Sequence, residues 1–185
     1  MIRKKVVAET TQQKSDTVEA ELRMKKDIQN FEERKEKYHE VSNATLEYPK
    51  EGCVTELHIV IKPRQTSFYR NSKITFVYSV PEDFPYKPPV VKCKNHIFHP
   101  NIDENRNVCL SLLKDGWQAN QELIQVVYGL LQILESLNPE DIEKPLYARA
   151  AEIMNKDIKE FESIVEKTLK GQSFEGRKYD KVWIN

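Results

Sequence analysis

The sequence predicts a single α+β domain, with an N-terminal helix, a four-stranded antiparallel meander and a set of C-terminal helices. Three observations carry this reading. Apolar residues recur at helical spacing near the start. Between residues 46 and 93 the apolar period falls to two. From residue 122 onward helical spacing returns with no further strand pattern.

The elements can be justified in order. Residues 1–16 are mostly polar, with Ile2, Val6 and Val7 standing out, and are expected to form a flexible extension. Asp16 and Thr17 can cap a helix, and Asp16 with Glu19 has capping-box spacing. That helix should reach about Phe31 and bury Met24, Ile28 and Phe31, which share one face. On pattern alone Arg23, Lys25 and Lys26 form a solvated face. The charged run ERKEKYHE follows as a continuation or a loop. Leu46 and Tyr48 suggest a first strand. Leu57, Ile59 and Ile61 mark a second, Ile74, Phe76, Tyr78 and Val80 a third, and Val90 to Cys93 a fourth.

Prolines 81, 85, 88, 89 and 100 then accumulate. Proline cannot donate to a ladder and restricts its predecessor, so 81–89 and 95–108 should be fixed loops around a short strand. Leu123, Val126, Val127, Leu130, Leu131 and Leu134 make a buried helix, which Asn138-Pro139 ends. Two more helical patterns span about Leu146–Asn155 and Asp157–Lys170, and Gly171 stops the second. The expected organisation is thus an extension (1–16), a core domain (17–170) and a tail (171–185).

The chain has 185 residues, 39% hydrophobic and 31% charged, which suits one soluble domain with a real core. Lys plus Arg equals Asp plus Glu, at 29 each, so no net field argues for nucleic acid or an anionic membrane. No apolar run approaches the roughly 18 residues of a span, and no signal peptide is visible. Three cysteines without a CxxC pair suggest free thiols in the cytoplasm or nucleus.

Cys53 follows Gly52 in a turn and Cys93 ends a strand; both read as structural. Cys109 is preceded by a long polar loop anchored by Pro100, and such loops beside a strand scaffold are where sites are built. His96 and His99 have HxxH spacing, but no further ligand is patterned around them, so no metal is expected. His99, Asn101 and Cys109 are also the residue types of a cysteine hydrolase. The papain-like order, however, puts Cys first and His and Asn far downstream. The residues alone leave an inert cysteine, a hydrolase and another cysteine chemistry open.

His99-Pro100-Asn101, the loop after it, Val108-Cys109-Leu110 and Trp117 together resemble the active site of the ubiquitin-conjugating enzyme family. PEDFPYKPPVVKC resembles that family's proline-rich segment, and LIQVVYGLLQILESLNPED its crossover helix and following turn. The similarity covers about residues 17–170. It implies an enzyme whose Cys109 accepts the C-terminal carboxyl of a ubiquitin-like modifier as a thioester. It also implies that the chain needs no cofactor, because ATP is used by the activating enzyme.

Two acyl transfers follow from that resemblance. A free thiol titrates near about 8.5, so roughly a few per cent is thiolate at pH 7, and no dedicated base is required. A lysine amine is uncharged in only roughly one molecule in 2,500 at pH 7. The second transfer is therefore the harder one, and the site should desolvate and position the amine. The resemblance gives Asn101 the oxyanion, or the loop that holds it, and gives His99 and Pro100 loop support. It assigns the lysine-orienting acid to Asp141, with Glu140 as an alternative because Ile142, Glu143 and Lys144 interrupt the usual run to Pro145. Arg23, Lys25, Lys26 and Ile2 would contact the activating enzyme, and Tyr86 and Ala119 a RING-type ligase.

Asn71-Ser72 stands where relatives commonly have two glycines. Asn tolerates the left-handed conformation best after Gly, so that turn is expected to survive. LRMKKDIQNF, the Met-Ile start and extension, Ser111 in CLSLL and the tail EKTLKGQSFEGRKYDK resemble the branch that conjugates the Nedd/Rub modifier to cullins. In that branch the extension docks on the activating enzyme and its acetylated end on a Dcn-type co-ligase. Ubiquitin itself is the alternative modifier. A non-catalytic binding module of the same fold is the remaining class, and such modules usually lack the cysteine.

Overall fold

The computed structural model describes residues 2–37, 41–114, 116–137 and 144–184. Helix α1 (Ile2–Lys37) leads into strands β1 (Ala44–Glu47), β2 (Glu56–Ile61), β3 (Ile74–Ser79) and β4 (Val90–Cys93). Helices α2 (Leu123–Glu135), α3 (Ala148–Lys156) and α4 (Ile158–Leu169) follow. The strands form one antiparallel sheet in the order β1-β2-β3-β4.

Register follows the apolar alternation. Ile59 lies opposite Leu46 on one side and Phe76 on the other, and Phe76 lies opposite Cys93. Leu57, Ile59, Ile61, Ile74, Phe76 and Tyr78 are all fully buried on that face. A slip of one residue would turn every one of them to the other face, so the pattern fixes the pairing. Val60 is buried as well, so β2 is covered on both sides near its end. The six apolar residues expected on α2 are the six that it buries.

Both ends of α1 differ from the sequence reading, and Tyr48 and Val80 fall just outside β1 and β3. Helix α1 runs continuously from Ile2, so the helix does not begin at Asp16. Residues 2–16 contain neither Gly nor Pro and carry three Lys, one Arg and two Gln, all good helix formers, so nothing local interrupts the helix. The helix also continues past Phe31 through the charged run to Lys37. Met24 and Phe31 are buried, as the spacing requires, and Ile28 packs partly buried beside them. The start of α4 holds as read: the Asp157 carboxylate accepts from the Lys159 and Glu160 N–H groups.

The turn before β3 survives without glycine. Asn71 takes φ 56°, the left-handed region that Asn enters more readily than other residues with a side chain. Beyond α4 the tail turns at Gly171, where a Cβ would stand 3.1 Å from Lys181 Cβ in a backbone of φ 85°. It then docks on the domain. The N–H groups of Val182 and Trp183 both donate to Leu169 O, and Val182 O accepts from Lys73 N–H at 2.9 Å. Tyr179 and Val182 are buried by this docking.

A buried carboxylate joins α1 to α2. Asp27 is 1% exposed, and its oxygens accept from Arg23 Nε at 2.8 Å and from the Leu123 N–H at the start of α2. Burial raises its pKa, against the opposing pull of Arg23. The same guanidinium donates to Ala119 O and Gln121 O, fixing the approach to α2. Arg23→Ala should therefore leave a buried carboxylate without its counter-ion and destabilise the domain by about 3 kcal/mol, read as a shift in the urea midpoint.

Candidate active site

The site is built on main-chain bonds. The Cys109 N–H donates to Asn101 O at 2.9 Å, so the two candidate residues are one hydrogen bond apart. Ile102 pairs with both His99 and Val108 in isolated antiparallel bridges, which close the loop between them. At its tip the Asp103 carboxylate accepts from both the backbone N–H and the side-chain amide of Asn107. Arg106 sits at φ 65°, and its carbonyl receives the Cys93 N–H, so the loop is anchored to β4.

His99 lies under this loop and is fully buried. Its Nδ1 accepts from the Asn101 N–H at 2.9 Å, so the proton must be on Nε2, which donates to Ile133 O of α2 at 2.9 Å. Burial pushes its pKa down to about 4, so the ring is neutral at pH 7. A neutral ring with both nitrogens engaged supports the loop and has no free nitrogen for proton exchange. Tyr69 stacks on it at 5.0 Å and donates its hydroxyl to Phe98 O. Pro100 is buried, and its carbonyl accepts from the Tyr147 N–H at 3.0 Å. Neither Tyr69 nor Ile133 carried any signal in the sequence, because each acts through a stacking face or a backbone carbonyl.

The three thiols are unlike one another. Cys93 is buried, and burial pushes its thiol up to about 12, which leaves it inert. Cys53 is half-buried, and its hydrogen bond with Thr55 pulls its thiol down. Cys109 is half-buried at the end of the anchored loop, with Lys114 Nζ at 3.2 Å from its sulfur. The Asn101 carboxamide has no hydrogen-bond partner among the described residues. The backbone N–H and carbonyl of Asn101 are both engaged, toward His99 and Cys109.

The profile of the family described as "Ubiquitin-conjugating enzyme" matches residues 23–169. The chain belongs to the ubiquitin-conjugating enzyme family. A fission yeast (Schizosaccharomyces pombe) protein named NEDD8-conjugating enzyme ubc12 is 32% identical over 97% of this chain and 95% of its own length. The Drosophila melanogaster Nedd8-conjugating enzyme UbcE2M is 32% identical over 82% of this chain and 78% of its own. A solved structure titled S. cerevisiae Ubc12 superposes with a TM-score of 0.76 at 28% identity, covering 97% of this chain and 95% of that one. Four helices and a four-stranded antiparallel sheet are the architecture expected of a ubiquitin-conjugating enzyme.

The remaining site residues fall into three groups. Lys25 and Lys26 are exposed on α1, whereas Arg23 is committed to the internal bonds already described. Its place in the solvated face is thus corrected: the i,i+4 carboxylate of Asp27 draws it inward. Tyr86 is 70% exposed, with its hydroxyl bonded to Glu19 of α1, and Ala119 is half-buried with its carbonyl on Arg23. Trp117 holds this loop to the proline-rich segment, donating its indole N–H to Pro85 O. Val18 and Leu22 are also exposed on α1, on either side of Glu19; helical spacing without a buried partner was the one available sign of them. Asp141 and Glu140, with Ile142 and Glu143, lie outside the described residues, as does the side chain of Ile2. Among the described residues no group of three or more His, Cys, Asp or Glu side chains is arranged to hold a metal.

The depressed His99 pKa carries a pH dependence. An unfolded histidine titrates near about 6.5, so between that value and 4 the unfolded chain binds a proton that the folded chain does not. Stability is then full above about pH 6.5 and falls as the pH drops toward 4. Urea midpoints at pH 7 and pH 5 should show the wild type losing about 2 kcal/mol more than His99→Gln over that interval.

Proposed function

We propose that this conjugating enzyme takes a Nedd8-type modifier from its activating enzyme as a thioester on Cys109 and passes it to a substrate lysine. Cullins are the substrates of this reading, and a RING-type ligase brings enzyme and substrate together. The observation that carries it is the full-length similarity to proteins named as NEDD8-conjugating enzymes, on a chain that presents a half-exposed cysteine on an anchored loop.

In the first transfer the Cys109 thiolate attacks the modifier's thioester on the activating enzyme, and the activating enzyme's sulfur leaves. In the second, the substrate amine attacks the Cys109 thioester, and the electron pair of the broken C–S bond returns to Cys109. The uncommitted Asn101 carboxamide is the donor for the oxyanion formed on the way, a role typically worth about 3 kcal/mol. Asp141, with Glu140 as the alternative, orients the incoming lysine. The exposed ammonium groups of Lys25 and Lys26 meet the activating enzyme. Ile2 and its extension reach the same partner, and the N-terminus reaches a Dcn-type co-ligase. Tyr86 and the loop of Ala119 form the ligase face, beside Val18 and Leu22. ATP is spent by the activating enzyme and no cofactor binds here. The reaction belongs to the cytoplasm and nucleus, where free thiols persist.

Charging with purified activating enzymes tests this directly. Cys109 should form a reducible adduct with Nedd8 and its activating enzyme, Cys109→Ser an adduct that resists thiols, and Cys109→Ala none. Loading by the ubiquitin system alone, or loading at Cys53, would overturn the assignment. Asn101→Ala should slow single-turnover discharge to lysine by roughly 100-fold.

A further inference from the structure

We propose that Arg177 of the tail is a positioning residue for acyl transfer at Cys109, acting as a strut across the loop that carries the thiol. The inference rests on the thioester reading above and adds to it a requirement for the tail.

Arg177 spans the loop from base to tip. Its Nη2 lies 3.2 Å from Glu104 Oε2 at the tip. The same guanidinium stands 4.6 Å over the Tyr147 ring, and the Tyr147 N–H holds Pro100 O at the base. One side chain thus fixes Glu104 relative to Pro100. Asn101, whose carbonyl receives the Cys109 N–H, lies in the interval between them.

The footing of this strut is itself built. Phe174 and Arg177 exchange backbone hydrogen bonds of 3.0 and 2.9 Å around Glu175 and Gly176. Those two residues take φ 47° and 77°, the pair of positive angles found in a tight type I′ hairpin turn. Glu175 enters that region against the preference of a residue with a side chain, and its carboxylate accepts from both Nε and Nη2 of Arg149 on α3. On the other side of Arg177, Asp180 closes on His96 twice. Its carboxylate accepts from the His96 N–H at 2.9 Å, and its own N–H donates to His96 O at 3.0 Å. Between these ties Phe174 and Tyr179 pack edge-on against Phe98, the residue just before His99, with ring centres 5.4 and 6.2 Å away. Tyr147 meets the same ring at 5.5 Å. The tail therefore offers Arg177 from a fixed backbone that also cages the residue leading into the site.

The two transfers ask different things of the loop. In the first, the activating enzyme grips the protein and presents a reactive thioester to a sulfur nucleophile. In the second, a free amine is held only by the surface around Cys109. Small displacements of the reacting centre are costly where geometry carries the rate. Loss of the strut is therefore felt in discharge and not in charging. Arg177 acts through Glu104 and Tyr147 and takes part in no bond that forms or breaks.

The test uses the full chain charged with Nedd8 and discharged to free lysine in single turnover, over a range of lysine concentrations. Arg177→Ala should lower the rate at saturating lysine by about fivefold, near the limit for an exposed ion pair. The half-saturating lysine concentration, the rate of charging and the urea midpoint should stay close to wild type. Arg177→Lys, which keeps the charge and loses the planar stack, should fall between the two. Glu104→Arg should be as slow as Arg177→Ala. Combining it with Arg177→Glu should recover the rate at least in part, a result that damage to the fold does not produce. Lys73→Ala, which breaks an ion pair of similar exposure with Glu47 on the sheet, should discharge at the wild-type rate. The inference is overturned by an Arg177→Ala enzyme that discharges normally, by one that loses charging, discharge and stability together, or by a charge exchange without recovery. A wild type that forms no reducible adduct removes the thioester reading, and this inference with it.

Discussion

The site depends on one buried imidazole. His99 joins two parts of the chain: the main chain of the loop at Asn101 and the carbonyl of Ile133 on α2. Both bonds require the same tautomer, and burial removes the charged form from consideration. A protonated ring could not accept from Asn101. A smaller residue would leave a buried N–H and a buried carbonyl unpaired, each a costly state. The most prominent functional-looking histidine in the sequence is therefore part of the frame, and the chemistry is left to its neighbours.

The frame extends outward by the same logic. Asn101 uses its backbone twice, toward His99 and toward Cys109. Pro100 offers its carbonyl to Tyr147, so the entry to α3 is attached to the same three residues. The tail adds a further brace: Arg177 pairs with Glu104 of the loop and lies over the Tyr147 ring. Burial separates the thiols by location. Cys93 is sealed under the sheet and shifted far from reactivity, while the loop keeps Cys109 half-open.

Much of this was legible in the residues. Alternation over Leu57–Ile61 and Ile74–Tyr78 and the helical spacing of Leu123–Leu134 named the core almost residue by residue, because one-sided burial leaves a period. The left-handed Asn71 was legible too, from the conformational tolerance of its side chain. The full length of α1 was not: a capping pattern at Asp16 outweighed a weak but unbroken helical propensity. Arg23 looked solvated because helical spacing shows which face a residue occupies but not that a loop 96 residues later will meet it. The Lys114–Cys109 contact was equally hidden, since a five-residue return depends on a turn that no periodicity announces.

The loop that presents Cys109 is held by its backbone and by Asp103, Asn107 and Arg106, while Asn105 at its apex is exposed. Position and identity are thereby uncoupled at that apex. Residue 105 can be exchanged for a cysteine-free handle carrying a fluorophore without disturbing the main-chain bonds that aim the thiol. A dye there would sit on the same loop as the sulfur. Arrival, transfer and departure of the cargo could then be followed as changes in light emission, on an enzyme whose own framework is untouched.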